Sequence, residues 1–119
     1  NVVNMDQNES NEKLSPRSST SAPPVRMTLE RAIELGEYHP EFLAQFPDWH
    51  TFTKHVQFEY VRKALDNRRK QLLTQWAEIS NILDFRLKPH LNEALKNVEH
   101  QLNIHKEDKE KIYVFFSEQ

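Results

Sequence analysis

Three observations predict an all-α fold. The chain has a single glycine, Gly36, in 119 residues. An apolar stripe recurs every seven residues through its middle, and a second stripe spaced alternately by four and three follows near the C-terminus. Most β and α/β folds use Gly freely at tight turns and strand–helix junctions. A chain rich in Leu, Lys, Glu, Gln and Asn with almost no Gly favours long helices joined by few turns. The predicted architecture is two short N-terminal helices packed on a long antiparallel helical hairpin, coiled-coil-like in its seam, with a disordered N-terminal tail.

The tail is assigned to residues 1–26 and the helical domain to residues 27–119. Within the tail, the stretch NESNEKLSPRSSTSAPP offers Leu14 as its only large apolar side chain. Such a segment cannot bury enough area to offset the entropy of ordering. It carries one glycosylation sequon, Asn8-Glu9-Ser10, and one Ser15-Pro16 step, but a plain linker is the expected role.

Order is expected to begin at Met27. Thr28 is a good N-cap for a helix over Leu29–Leu35, with Leu29, Ala32 and Ile33 on one face and Gly36 as its left-handed stop. Pro40 suits the first position of a second short helix, with Glu41 beside it favouring the positive end of the helix dipole. Its apolar residues are Phe42, Leu43 and Phe46, and Pro47 ends it.

The long element runs from about Thr51 to about Phe85, a span without Gly or Pro. Phe58, Leu65, Leu72 and Ile79 fall every seven residues, and Val61, Trp76 and Leu83 widen the stripe. At about 100° per residue these side chains lie in an arc of roughly 60°. Trp49, Phe52, Val56 and Tyr60 form a second stripe on nearly the opposite side, so the short helices are expected to pack there. After Pro89, the residues Leu91, Leu95, Val98 and Leu102 keep a coiled-coil spacing, and the same register continues to His105, Lys109, Ile112 and Phe116. A turn near Asp84–Lys88 would join the two long helices, because the residue before a proline avoids helical geometry. The last segment, KIYVFFSEQ, has strand-forming residues but no visible strand partner, so helix is expected.

Chemistry is sparsely represented. Cysteine is absent, which excludes disulfides and thiolate chemistry and is compatible with a cytoplasmic or other reducing compartment. No apolar run approaches the roughly 18 residues a membrane span needs, and no membrane association is expected. The six histidines make no pair four residues apart, so no metal site is predicted. His105, at a seam position, reads as a polar interruption of that seam. Glu107, Asp108 and Glu110 alternate with lysines and read as solvated ion pairs. Glu78 and Glu93 lie near the seams. One glycine leaves no room for a phosphate-binding loop, and neither cofactor nor enzymatic activity is expected.

The basic segment is the sharpest feature. Arg62, Lys63, Arg68, Arg69 and Lys70 fall within nine residues, with Asp66 the one acid among them. Arg62, Lys63, Arg69 and Lys70 are expected to share a patch able to contact phosphates or an acidic partner. The commoner role of such a run is a solvated face with local ion pairs. The aromatic cluster of Phe42, Phe46, Trp49, Phe52, Phe58 and Tyr60 has helical spacing and is expected in the core rather than stacked on nucleobases.

These features point to a non-enzymatic helical module that binds another protein: an adaptor, assembly factor or regulatory subunit. The alternative is an RNA- or DNA-binding protein using the Arg62–Lys70 face. The net charge of −2 argues against a surface coated in basic residues. A lone hairpin leaves its sides thinly covered, so a homodimer forming a four-helix bundle is the self-association expected.

Overall fold

The computed structural model describes residues 26–118; the expected tail, its sequon and Ser15-Pro16 lie outside the described residues. Helix α1 spans Leu29–Glu34 and α2 spans Pro40–Leu43. A 3-10 turn over Pro47–Thr51 leads into α3, Lys54–Ser80. A second 3-10 turn, Phe85–Leu87, precedes α4, Pro89–Ser117. No strand occurs among the described residues, and the fold is the expected hairpin braced by short helices. The C-terminal segment is helical through Ser117.

The start of α1 follows from Thr28, whose hydroxyl accepts a hydrogen bond from the Arg31 amide at 3.1 Å. Its end is a Schellman turn: the Glu37 N–H donates to the Ala32 carbonyl and the Gly36 N–H to that of Ile33. Gly36 has φ +85°, and a Cβ there would come within 3.0 Å of Arg68 on α3. Both the left-handed backbone and the close approach require glycine. Two amides on α3 complete the cap. Asn67 donates to the Ile33 carbonyl at 3.0 Å and Gln71 to the Leu35 carbonyl at 2.8 Å. Arg68 donates to the Gln71 side-chain oxygen at 3.1 Å, which turns its NH2 toward α1. The carbonyls that every helix end leaves unpaired are thus taken up by the helix beneath.

The long helix is shorter than its apolar pattern suggests. Thr53 caps it, accepting from the Val56 amide at 3.2 Å, so Trp49 and Phe52 lie in the preceding turn rather than on α3. They still cover the expected side. Trp49 is buried, Gln57 donates to its carbonyl at 2.8 Å, and Phe52 stacks on Tyr60 with ring centroids 5.0 Å apart. Helix α2 ends at Leu43, and Pro47 opens the 3-10 turn instead of closing the helix. At the far end α3 stops at Ser80, five residues before Phe85, and Asp84 adopts a left-handed conformation at φ +57°.

One core gathers Leu29, Ala32, Ile33, Tyr38, Leu43 and Trp49 from the brace against Val61, Ala64 and Leu65 of α3 and Ile112 of α4. The expected core aromatics Phe42, Phe46, Phe52 and Tyr60 pack half-buried around it. The antiparallel seam continues beyond, with Leu65, Leu72, Leu95 and Val98 buried and Phe58, Ile79, Leu91 and Leu102 half-buried. Two members of the expected seam depart from it. Trp76 is 39% exposed, its indole N–H donating to Glu99 at 3.3 Å across the hairpin. Leu83 is 80% exposed, because α3 has already ended and the chain is turning back.

Candidate interaction surfaces

Three surfaces remain once the core is accounted for. The first is the hairpin tip. Between Ser80 and Pro89 the chain reverses through Asn81, the left-handed Asp84 and the 3-10 turn. The Leu87 and Lys88 amides donate to the carbonyls of Asp84 and Phe85 at 2.9 and 3.0 Å, and Lys88 Nζ donates to the Leu83 carbonyl at 3.2 Å. The backbone is therefore well tied while its side chains are not. Leu83 and Leu87 are 80% and 79% exposed, Ile82 is also exposed, and Arg86 lies over the Phe85 ring at 4.9 Å. Single exposed leucines are ordinary, but a cluster of large apolar side chains at the end of a projecting hairpin is not. Spacing alone places Leu83 in the seam, and Leu87 carries no sequence signal beyond its place in the turn.

The second surface is a groove of about 800 Å³ walled by α3 and α4 alone. It brings together three of the four expected patch residues, Arg62, Lys63 and Arg69, and adds Lys109 from α4. Lys70 lies outside it, paired with Asp66 at 3.1 Å. Two carboxylates, Glu59 and Asp66, sit inside the patch, so it is less uniformly basic than the sequence suggested. Glu59 holds Arg62 at 3.1 Å and raises its pKa. Lys63 and Arg69 make no ion pair among the described residues. Val56, Leu65 and Tyr113 give the groove an apolar floor, and Lys109 lies over the Tyr113 ring at 5.7 Å. Arg68 faces the brace and plays a structural part.

The third surface is a more apolar groove of about 600 Å³ between α2, the first 3-10 turn and the end of α4, lined by Trp49, Phe115 and Phe116 among others.

A polar cluster lies between the brace and α4. The Tyr38 hydroxyl donates to the Asp108 carboxylate at 2.6 Å, and His39 Nε2 stands 3.8 Å from the same oxygen. Asp108 is not the solvated ion-pair residue that its lysine neighbours suggest but an acceptor for a buried phenol. Burial, and then the Asp108 carboxylate, push the Tyr38 pKa well above its ordinary value near 10. The phenol therefore stays protonated and is a donor, not a base. His105, the expected polar interruption of the seam, is 4% exposed, and its Nε2–H donates to the Leu65 carbonyl at 2.8 Å. A carbonyl can only accept, which fixes that ring nitrogen as the protonated one. Glu78 and Glu93 are exposed. Among the described residues no group of three or more His, Asp or Glu side chains is placed to hold a metal ion, and no helix is long and apolar enough to cross a membrane.

No family model, curated protein or solved structure matches this chain.

Proposed function

We propose that this chain is a non-enzymatic helical interaction module, an adaptor, assembly factor or regulatory subunit, that presents its hairpin tip to a protein partner. The observation that carries this reading is the pair Leu83 and Leu87, about four-fifths exposed on a turn whose backbone is fixed by internal hydrogen bonds. Fully burying a leucine stabilises a contact by about 1.5–3 kcal/mol. An anchor that is already ordered loses little conformational entropy on binding. Tyr38, the most perturbed polar side chain, is held as a proton donor inside the core, which supports a structural role for that cluster over a catalytic one.

The test is site-specific photocrosslinking in extract of the source cells. A photoreactive side chain at position 83 should give one discrete adduct, which is lost when Leu87→Asp is added. The same label in place of the exposed Glu30 on α1 should give none. Equal labelling from positions 83 and 30, or no adduct from position 83, rejects the tip as the interface.

A second reading, RNA or DNA binding by the Arg62–Lys70 face, is favoured by Lys63 and Arg69, which have no ion-pair partner among the described residues. The apolar lining of Val56, Leu65 and Tyr113 between those cations weighs against it, because a phosphate backbone is held by charge and gains nothing from such a surface.

A further inference from the structure

We infer that the α3–α4 groove is a second docking site, and that its occupant is an acidic amphipathic helix of a protein partner. The lining is disjoint from the hairpin tip, so this inference stands whether or not the tip is an interface.

The groove is the trough between two antiparallel helices, the place where a third helix completes a bundle. An apolar floor of Val56, Leu65 and Tyr113 suits the apolar stripe of such a helix. Arg62, Lys63, Arg69 and Lys109 surround that floor, against Glu59 and Asp66. Both carboxylates already have cations, Glu59 in Arg62 and Asp66 in Lys70. Positive charge is therefore in excess, and Lys63 and Arg69 make no ion pair among the described residues.

Spacing narrows the occupant. Arg69, which makes no ion pair among the described residues, and Arg62, which meets Glu59 through Nη1, lie two turns apart on one line of α3, about 10 Å along the axis. Carboxylates seven residues apart on a docked helix match that interval. A second copy of this chain does not fit as well. Apposing two of these grooves would bring two net positive linings together, and like charges across an interface are costly. The seam leucines Leu65 and Leu72, whose spacing suits packing within one chain and between two alike, are already 2% exposed within one chain.

Fluorescence anisotropy on the full chain tests this with three labelled probes. They are a designed three-heptad helix with Leu at a and d and Glu at e and g, its Lys-for-Glu counterpart, and a single-stranded RNA of about 20 nucleotides. The Glu helix should bind at least about tenfold more tightly than the Lys helix. Binding should weaken about tenfold in Arg62→Gln/Arg69→Gln, with an unchanged melting temperature. Leu83→Asp should leave it unaltered, which separates the groove from the tip. Equal binding of the two helices, no binding of the Glu helix, or no effect of the double variant overturns the proposal. Tighter binding of the RNA, lost in the same double variant, overturns it in favour of nucleic acid.

Discussion

Around Val61, α3 is packed against the brace and against α4; around Ile79 it has α4 alone. In the braced half, Ala32, Leu43, Val61 and Ala64 are completely covered. In the projecting half only Leu72, Leu95 and Val98 reach comparable burial, while Leu73, Trp76, Ile82, Leu83 and Leu87 are exposed. Two helices bury one stripe each and leave their flanks to solvent, whereas a third layer turns a seam into a core. The short N-terminal helices therefore do more for stability than their length suggests. The projecting half, with fewer buried contacts, should open at lower free energy.

The largest effect expected from breaking this contrast is at Leu43. Leu43→Ala removes a fully buried side chain at the junction of brace and hairpin, and should cost about 3 kcal/mol. Leu91→Ala, half-buried in the projecting half, should cost about 1 kcal/mol. Urea unfolding of the two variants makes the comparison, and equal losses would mean that the brace is not the stabilising layer.

Next is the tie between brace and α4. Tyr38→Phe deletes the hydrogen bond to Asp108 and should cost about 2 kcal/mol at neutral pH, since the acceptor is charged. The folded chain holds the Tyr38 proton to higher pH than the unfolded chain does. Above about pH 10 the unfolded state thus binds fewer protons, and stability falls with rising pH. The phenol's contribution is complete below that value and lost as pH climbs through the raised folded pKa. Wild type should lose stability in that window, and Tyr38→Phe should lose less. Parallel pH profiles for the two proteins would contradict the assignment.

The smallest effect lies at the tip. Asp84 has φ +57°, a conformation that Gly adopts at lower cost. Relief of the left-handed strain should outweigh the entropy that Gly adds to the unfolded chain, so Asp84→Gly should stabilise the turn by about 0.5 kcal/mol. Hydrogen exchange should slow at the Leu87 and Lys88 amides, which close the turn, and stay unchanged in α1. Slowing in both places would show that the two halves open as one unit.

Much of this was legible in the sequence, for identifiable reasons. The stripe Phe58, Leu65, Leu72 and the run Leu91, Leu95, Val98, Leu102 read correctly because helical periodicity records which side meets a neighbour. Thr28, Gly36 and Pro40 marked helix ends through local backbone chemistry. Leu83 misled because periodicity does not record where the neighbour stops. Trp49 and Phe52 fit the phase of α3 but precede Thr53, whose hydroxyl caps the helix after them. The caps from Asn67 and Gln71 were invisible, since polar residues in mid-helix look like solvated ones until another helix end is placed above them. Asp108 was hidden in the same way among lysines, its partner Tyr38 lying 70 residues earlier.

The His105–Leu65 hydrogen bond also has a mechanical consequence. Two smooth apolar stripes can slide past each other by whole turns at modest cost, because leucine meets leucine in every offset. A buried imidazole cannot follow, since a slip would carry its N–H away from the only carbonyl it reaches among the described residues, and an unsatisfied buried donor costs about 1–3 kcal/mol. The bond acts as a key in a shaft. With the offset fixed, the sixteen residues from Leu65 to Ser80 become a strut of about 22 Å. The exposed leucines are then held at a set reach from the brace, and whatever binds both ends of the molecule is measured against that length.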